Sequence, residues 1–352
     1  MLLDDYGWDI SFWNDLPGEP ARVIAVDSAS CRVMTAGGER LASVAGRLLQ
    51  PGGDGGRGAA APLLPVVGDW VGIHAPATGD VRIDHVLPRR TTLSRKVPGR
   101  RAREQIVAAN VDLALVVMAM DGDFSERRLE RLLTLIGQSG ARPAVLLSKS
   151  DLSADSETAC RRARLAAPGV TVLTMSSLSG DGLGAVRELL PARQTATLIG
   201  SSGVGKSTLI NRLLGSDVQA TQPVHKGKGR GRHTTTRREL FLLPGGALLI
   251  DNPGVREVQL WADDADLSRA FADLTDLGAG CRFRDCSHGM EPGCAVRAAV
   301  EAGDLDPGRL QSFHALQAEV KSAAIRRDAL ARREETRRSR NVHRELRRSS
   351  RR

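Results

Sequence analysis

A glycine-rich turn at residues 200–208 constrains the fold of this chain more than any other feature. It reads Gly-Ser-Ser-Gly-Val-Gly-Lys-Ser-Thr and lies between an apolar strand pattern and a helical pattern, as G-x-x-x-x-G-K-[ST] requires. Main-chain N–H groups point inward in such a turn, and the helix N-terminus adds the positive end of its dipole. We therefore predict a P-loop, with Lys206 on the β- and γ-phosphates and Ser207 on Mg²⁺. The predicted phosphate-binding residues of this turn are Gly200, Ser201, Ser202, Gly203, Val204, Gly205, Lys206, Ser207 and Thr208.

Apolar strand patterns alternate with helical patterns from residue 106 onward. The longest apolar run, Leu113 to Met120, belongs to one strand, and Ser125 can cap the leucine-rich helical segment that follows it. This alternation predicts a doubly wound parallel sheet with helices on its faces. The other predicted strands lie at 143–148, 170–175, 195–200, 239–244 and 247–251.

Residues 21–93 have a different pattern, with short strands, glycine-rich turns and no helical period. This pattern predicts a small all-β barrel. The barrel contains one aromatic residue, Trp70, so it lacks the set of aromatic rings on which successive bases stack. The predicted divisions of the chain are an N-terminal extension (1–20), the barrel (21–103), the α/β domain (104–261), a cysteine-containing domain (262–320) and a basic tail (321–352).

The polar segment Ser148-Lys149-Ser150-Asp151 follows one of the predicted strands. It is similar to [NT]-K-x-D, in which the aspartate accepts two hydrogen bonds from the guanine N1–H and N2–H₂ groups. Asp151 would read the base, and the stem of Lys149 would lie over the ring. Ser148 stands where Asn is usual, although its hydroxyl can still bond the P-loop backbone. Out of context the segment is an ordinary polar turn, but a P-loop in the same sheet favours a guanine site.

Ser176 and Ser177 follow the next strand pattern. They match a loop whose main-chain N–H contacts guanine O6. The predicted guanine-binding residues are therefore Ser148, Lys149, Ser150, Asp151, Ser176 and Ser177.

The order of these segments is permuted. In most GTPases the P-loop comes first and the guanine-reading segments come last, whereas here 148–151 and 176–177 precede 200–208. An Asp-x-x-Gly segment, Asp251 to Gly254, follows the P-loop. A sheet tolerates such a permutation when the original termini lie close together, and residues 191–195 would be the joining loop.

Three cysteines and a histidine form a cluster near the C-terminus. Three thiolates and one imidazole close a tetrahedral Zn²⁺ shell, so such a site would be structural. The alternative is a set of reduced cysteines in a loop. Five cysteines, an odd count, argue against a disulfide framework and favour a reducing, cytoplasmic location. The predicted zinc ligands are Cys281, Cys286, His288 and Cys294.

Positive charge is concentrated at one end of the chain. Residues 321–352 hold 13 Lys and Arg against four Asp and Glu, which equals the net charge of +9 of the whole chain. Such a tail is typical of polyanion binding, although a solvated helix end is equally compatible with it. No apolar stretch approaches the ~20 residues that span a bilayer, so we expect no membrane association.

The sequence resembles the ribosome small-subunit-dependent GTPase A family, the circularly permuted GTPases of small-subunit assembly. The resemblance covers nearly the whole chain and rests on 200–208, on GRHTTT at 231–236, on DNPGV at 251–255, on the permuted order and on the cysteine cluster. It implies a multidomain fold: an N-terminal oligonucleotide-binding (OB) barrel, a central α/β P-loop GTPase core and a small C-terminal α-helical zinc domain. It also implies GTP hydrolysis stimulated by the small ribosomal subunit. Because arginine contacts to phosphates suit a folded, backbone-rich RNA, we expect rRNA as a partner, and we expect a monomeric protein.

The hydrolytic residues are expected on two segments around the P-loop. Asp251 would hold Mg²⁺ and the Gly254 N–H would sense the γ-phosphate. In Ras-like enzymes a Gln soon after this Gly orients water, but Val255 follows here. The resemblance points instead to His233, which is otherwise an exposed loop histidine. One of Thr234 to Thr236 should complete the Mg²⁺ shell, and we select Thr235.

Two other functions share these motifs. A nucleotide-gated RNA-binding module with negligible turnover would not respond to small subunits. An ATP-dependent P-loop enzyme would keep its nucleotide preference when Asp151 is replaced.

Overall fold

The computed structural model describes residues 2–12, 18–27, 30–49, 63–75, 80–96, 104–122, 124–153, 155–215, 238–251, 264–322 and 325. These residues belong to two compact units. The first unit contains the described residues up to 251, and the second contains those from 264 onward. No helix in the described ranges is long and apolar enough to cross a membrane.

Five strands at the start of the first unit close into a barrel. Their order is β1-β2-β3-β5-β4, and β4 pairs again with β1. β3 and β5 run parallel, whereas the other pairs of the barrel are antiparallel. This confirms the predicted N-terminal barrel and its OB-type character. The strands are β1 (Glu19–Val26), β2 (Cys31–Thr35), β3 (Gly38–Val44), β4 (Trp70–His74) and β5 (Val81–Val86), with short helices α1 (Leu2–Asp5) and α2 (Gly46–Leu49).

A hairpin connects the barrel to the α/β part of the unit. Its strands are β6 (Thr92–Lys96) and β7 (Glu104–Ala109), which pair antiparallel. The sequence analysis did not predict this hairpin.

The α/β part is a sheet in the order β10-β9-β8-β11-β13-β12. The first five strands are parallel and β12 is antiparallel to β13. All seven residues of β8 are buried, which is why its sequence is a continuous apolar run. The strands are β8 (Leu113–Ala119), β9 (Arg142–Ser148), β10 (Thr171–Thr174), β11 (Thr195–Ile199), β12 (Arg238–Leu242) and β13 (Leu248–Asp251), and the helices are α3 (Glu126–Ser139), α4 (Ser156–Ala166), α5 (Leu183–Glu188) and α6 (Lys206–Leu214).

The helices begin where the sequence predicts. Ser125 caps α3 by accepting a hydrogen bond from the Arg128 N–H, at 3.4 Å. The parallel strands alternate with these helices in the permuted order, so the predicted doubly wound sheet is confirmed. β12 was predicted as a strand at 239–244, but its antiparallel direction was not predicted.

The barrel and the α/β sheet share one continuous set of strands. β1 pairs antiparallel with β12, with Ala25 opposite Glu239 and Val26 opposite Arg238. Arg32 of β2 adds an ion pair to Glu239 and a second one, of 3.0 Å, to Glu39. The barrel is therefore attached along the strand that follows residues 216–237.

A buried arginine lies where the barrel meets the α/β sheet. Arg22 is 1% exposed and donates hydrogen bonds to the Tyr6 carbonyl and, at 2.8 Å, to Thr195 Oγ1. Its guanidinium lies 4.9 Å from the centre of the Trp70 ring. Burial lowers the pKa of Arg22 to about 10, so the side chain remains charged at neutral pH. One side chain thus links the N-terminal segment, the barrel and the strand that leads to the P-loop.

We expect Arg22→Ala to lower the free energy of unfolding of the first unit by about 2–5 kcal/mol, because it leaves a cavity and unpaired buried acceptors. Chemical denaturation measures this change. Arg82→Ala is the control, since Arg82 is exposed and, among the described residues, forms its ion pair with Asp84, at 2.9 Å. Its effect should stay within about 0.5 kcal/mol. An equally small effect of Arg22→Ala would contradict the expectation.

The second unit is helical around the cysteine cluster. α8 and α9 pack together, and Phe271 before α8 is fully buried. Arg309 donates to both carboxylate oxygens of Asp273, at 2.9 and 2.8 Å, and lies over the Phe271 ring. The helices are α7 (Asp264–Ala270), α8 (Ala272–Gly278), α9 (Ala295–Ala302) and α10 (307–322).

Candidate nucleotide and metal sites

The turn at 200–205 joins the end of β11 to α6. A Cβ atom on Gly200 would lie 2.2 Å from the Val117 carbonyl oxygen, so only glycine fits there. Gly203 and Gly205 have φ of +81° and +97°, the left-handed region that favours glycine. These glycines let the backbone form a tight turn at the N-terminus of α6, which is the geometry of a P-loop.

Lys206, the first residue of α6, turns back over this loop. Its Nζ donates to the carbonyl oxygens of Gly200 and Ser201, at 2.7 and 2.6 Å. The ammonium group is therefore held at the mouth of the turn, where a phosphate group would compete for it.

Asp251 ends β13, the strand beside β11. It is 5% exposed, and burial raises its pKa to about 6, against the opposing effect of Lys206. Glu239, its partner across β12 and β13, raises the pKa further. A hydroxyl and a carboxylate are suitable ligands for Mg²⁺, and a bound cation would stabilise the ionised form of this buried carboxylate. Ser207 and Asp251 therefore fit the predicted magnesium site.

The segment 148–151 is bonded directly to the P-loop. Ser148 is buried, and its Oγ donates to the Val204 carbonyl oxygen at 2.6 Å. The predicted bond from this hydroxyl to the P-loop backbone is thus present. Lys149 follows with a φ of +58°, and its Nζ lies 2.5 Å from Asp121 Oδ2.

The two base segments are bonded to each other. Ser176 Oγ donates to Asp151 Oδ1 at 2.5 Å, and the Ser150 N–H donates to the Met175 carbonyl at 3.2 Å. Ser176 is fully buried, whereas Asp151 is exposed. Asp151 is therefore held at the surface with its carboxylate oriented from one side.

Two of the three main-chain N–H groups that follow Ser176 form hydrogen bonds within the loop. Those of Leu178 and Ser179 both donate to Ser176 Oγ, at 3.2 Å. Within the described ranges no acceptor lies against the Ser177 N–H. This N–H is the one that matches the predicted contact with guanine O6.

Arg212 is a residue of this site that the sequence did not reveal. It extends from α6 and donates to the Ser177 and Leu178 carbonyl oxygens, at 2.8 and 3.1 Å. On the helical pattern it is an ordinary solvent-facing arginine, so no sequence signal distinguishes it. His233, Thr235 and Gly254, together with residues 326–352 of the tail, lie outside the described residues.

The second unit brings the four predicted zinc ligands together. One ligand atom from each of Cys281, Cys286, His288 and Cys294 lies within 4.8 Å of the others. His288 Nδ1 is 3.6 Å from Cys281 Sγ and 3.5 Å from Cys294 Sγ, and the two sulfurs are 3.9 Å apart. A tetrahedral zinc ion requires about 3.6 Å between sulfur and nitrogen and about 3.8 Å between sulfurs. The cluster therefore fits a metal ion such as zinc.

The ligands of the cluster differ in protonation before a metal binds. The main-chain N–H of His288 lowers the pKa of Cys286, but burial and the neighbouring Cys294 and Cys281 outweigh it and raise this pKa to about 11, so a metal must displace the Cys286 proton. Burial raises the pKa of Cys281, but the main-chain N–H groups of Ala295 and Val296 outweigh this and lower it overall. Burial and the charge of His314 lower the pKa of His288, which keeps its ring neutral. A thiolate and a neutral imidazole are the forms that bind zinc.

The fold and the nucleotide site define a P-loop GTPase core with circularly permuted order. Two solved structures have this fold: YjeQ from Thermotoga maritima, with a TM-score of 0.64 at 24% identity, and YloQ, a circularly permuted GTPase, with a TM-score of 0.61 at 23% identity. Each alignment covers 86% of this chain, together with 98% of YjeQ and 95% of YloQ.

Sequence comparison identifies the family. The RsgA GTPase family model matches residues 86–261. The chain is 42% identical over 347 residues to the small ribosomal subunit biogenesis GTPase RsgA of Syntrophotalea carbinolica, across 94% of this chain and 93% of that protein. The chain belongs to the RsgA GTPase family, which confirms the resemblance seen in the sequence.

Proposed function

We propose that this protein hydrolyses GTP and acts as a late assembly and checkpoint factor for the small ribosomal subunit. GTP would favour the docked state, and hydrolysis would release the protein. The observation that carries the proposal is the bonding of the first base segment to the P-loop, through Ser148 to Val204, and of the second base segment to the first, through Ser176 to Asp151. Membership of the RsgA family and the names of its relatives support the ribosomal role.

The nucleotide would be held at both ends. The N–H groups of 200–208 and the Lys206 ammonium bind the phosphates, and Asp151 accepts from guanine N1–H and N2–H₂. Ser207, Asp251 and Thr235 are the proposed Mg²⁺ ligands. A bound Mg²⁺ would neutralise charge on the β- and γ-phosphates. The Gly254 N–H would bond the γ-phosphate and so distinguish GTP from GDP.

His233 is the proposed catalytic residue. Val255 cannot orient water in the place where Ras-like enzymes use a glutamine. A neutral imidazole can orient the attacking water or accept its proton. Hydrolysis would be slow until a partner places His233 beside the γ-phosphate.

The proposed partner is the small ribosomal subunit with its rRNA. Arginines of the barrel region (21–103) and the basic tail (321–352) would contact RNA phosphates, which predicts binding that weakens steeply with salt. The zinc-binding domain (262–320) would be held by one structural Zn²⁺. We place this monomeric protein in the cytoplasm, where small subunits are assembled.

Phosphate release by the wild type and by His233→Ala, with and without small subunits, tests the proposal. We expect subunits to raise the wild-type rate about tenfold or more, and free rRNA to have little effect. His233→Ala should lower the stimulated rate about 10²-fold or more while GDP binding is retained. Equal wild-type rates with and without subunits would reject the checkpoint role and favour a nucleotide-gated RNA-binding module.

A further inference from the structure

One arginine connects the two ends of the proposed nucleotide site. Arg212 lies on α6, the helix that begins at the P-loop, about 9 Å along the helix axis from Lys206. Its Nε and Nη2 donate to two successive carbonyl oxygens, those of Ser177 and Leu178. Such charge-assisted bonds from a planar guanidinium hold both position and direction.

These bonds act on the loop directly beside the Ser177 N–H, the group that is predicted to contact guanine O6. The Ser177 carbonyl oxygen belongs to the peptide group directly after the Ser177 N–H. On the other side, the Ser176 N–H donates to the Asp181 carbonyl oxygen at 3.0 Å. The peptide group that contains the Ser177 N–H is oriented by its own Ser176 carbonyl oxygen, which accepts from the Gly180 N–H at 3.0 Å. Arg212 bonds the next two peptide groups to α6, so it sets where this N–H lies relative to the phosphate-binding helix.

Three hydrogen-bonded links join three separate parts of the chain into a closed set. Ser148 links 148–151 to the P-loop, and Ser176 links 176–178 to Asp151. Arg212 completes the set by linking 176–178 back to α6. Without this third link the loop at 176–178 keeps its bond to Asp151 but loses its bond to the phosphate-binding helix.

We propose that Arg212 is a positioning residue for guanine recognition: by holding the Ser177 and Leu178 carbonyls it directs the Ser177 N–H at guanine O6. The inference rests on the proposed guanine site. Adenine carries an amino group at this place, which a directed N–H repels instead of bonding. Arg212 therefore contributes to base selectivity without touching the base.

The test compares GDP, IDP and ADP on purified full-length protein, by competition with a fluorescent GDP analogue. Hypoxanthine keeps the O6 and N1–H of guanine but lacks its 2-amino group, so IDP shows whether an affinity change is independent of the 2-amino contact with Asp151. Arg212→Ala should weaken the binding of GDP and of IDP by the same factor, about three- to tenfold, as expected for the loss of one hydrogen bond. The affinity of Arg212→Ala for ADP should be unchanged. Arg212→Lys can bond only at a single point, so its affinity for GDP and IDP should fall between those of the wild type and Arg212→Ala.

Arg161→Ala is the matched control, because Arg161 is an exposed arginine on α4 that bonds Thr158 Oγ1, at 3.2 Å, away from the base segments. Its affinities for the three nucleotides should equal those of the wild type. An equal loss for GDP, IDP and ADP in Arg212→Ala would indicate general support of the fold and overturn the inference, as would unchanged GDP binding. A wild type that does not prefer GDP over ADP would instead reject the guanine site itself.

Discussion

Asp151→Asn is expected to weaken GTP and GDP binding by about 10²- to 10⁴-fold. The carboxylate accepts two hydrogen bonds from guanine in the proposed site, and each such bond to a charged group contributes about 1.5–3 kcal/mol. The asparagine Oδ1 can still accept from Ser176 Oγ, so the bond between the base segments survives. Equilibrium titration of wild type and variant with a fluorescent guanine nucleotide measures the change.

Xanthine nucleotides provide the control for this variant. Xanthine has a carbonyl where guanine has its 2-amino group, and an asparagine amide can donate to it. Asp151→Asn should therefore bind XDP more tightly than the wild type does. Lys206→Ala should weaken the binding of all these nucleotides by the same factor, because the phosphate contacts are independent of the base. If Asp151→Asn kept wild-type preference for GDP, Asp151 would not be the base-reading residue.

Cys294→Ser is expected to abolish metal binding and unfold the second unit. Cys294 is buried and also caps α9 by accepting from the Arg297 N–H at 3.5 Å. Structural zinc contributes about 10–16 kcal/mol in small zinc domains, so its loss exceeds what the packing of α8 and α9 can offset. Zinc content should fall from one ion per chain to near zero, and amide hydrogens of 272–302 should exchange rapidly.

Cys160→Ser is the control for that experiment. Cys160 is half-buried on α4 in the first unit and is not part of the cluster. Its zinc content and hydrogen exchange should match those of the wild type. Full zinc content in Cys294→Ser would show that the cluster is not the metal site, and normal exchange without zinc would show that the second unit folds without metal.

The parts of the site that the sequence predicted are those built from neighbouring residues. Residues 200–208 form a P-loop because the glycines and the helix start lie within one short segment. The four cluster residues lie within 14 positions of each other, so the chain itself limits how far apart they can be. The continuous apolar run of β8 likewise predicted a fully buried strand, and the structure confirms it.

The parts that sequence reasoning missed depend on contacts between distant residues. β12 reads as another strand of the α/β sheet, yet it is antiparallel and joins that sheet to β1 of the barrel. The hairpin of β6 and β7 was not predicted, because its pairing depends on backbone groups and not on apolar alternation. Arg22 is a lone arginine in a strand, and only the packing of three segments around it explains its burial.

The sequence by itself determined the class of chemistry: which residues form the P-loop turn, which carboxylate follows which strand, which thiols lie close together, and the permuted order. These properties are local, since they depend on residue type, spacing and helix direction. The tertiary structure alone decided how the segments are joined, through Ser148 to Val204 across 56 residues and Arg212 to Ser177 across 35. Such bonds depend on where the sheet places its strand ends, and a hydroxyl or a guanidinium carries no sequence signal for its distant partner.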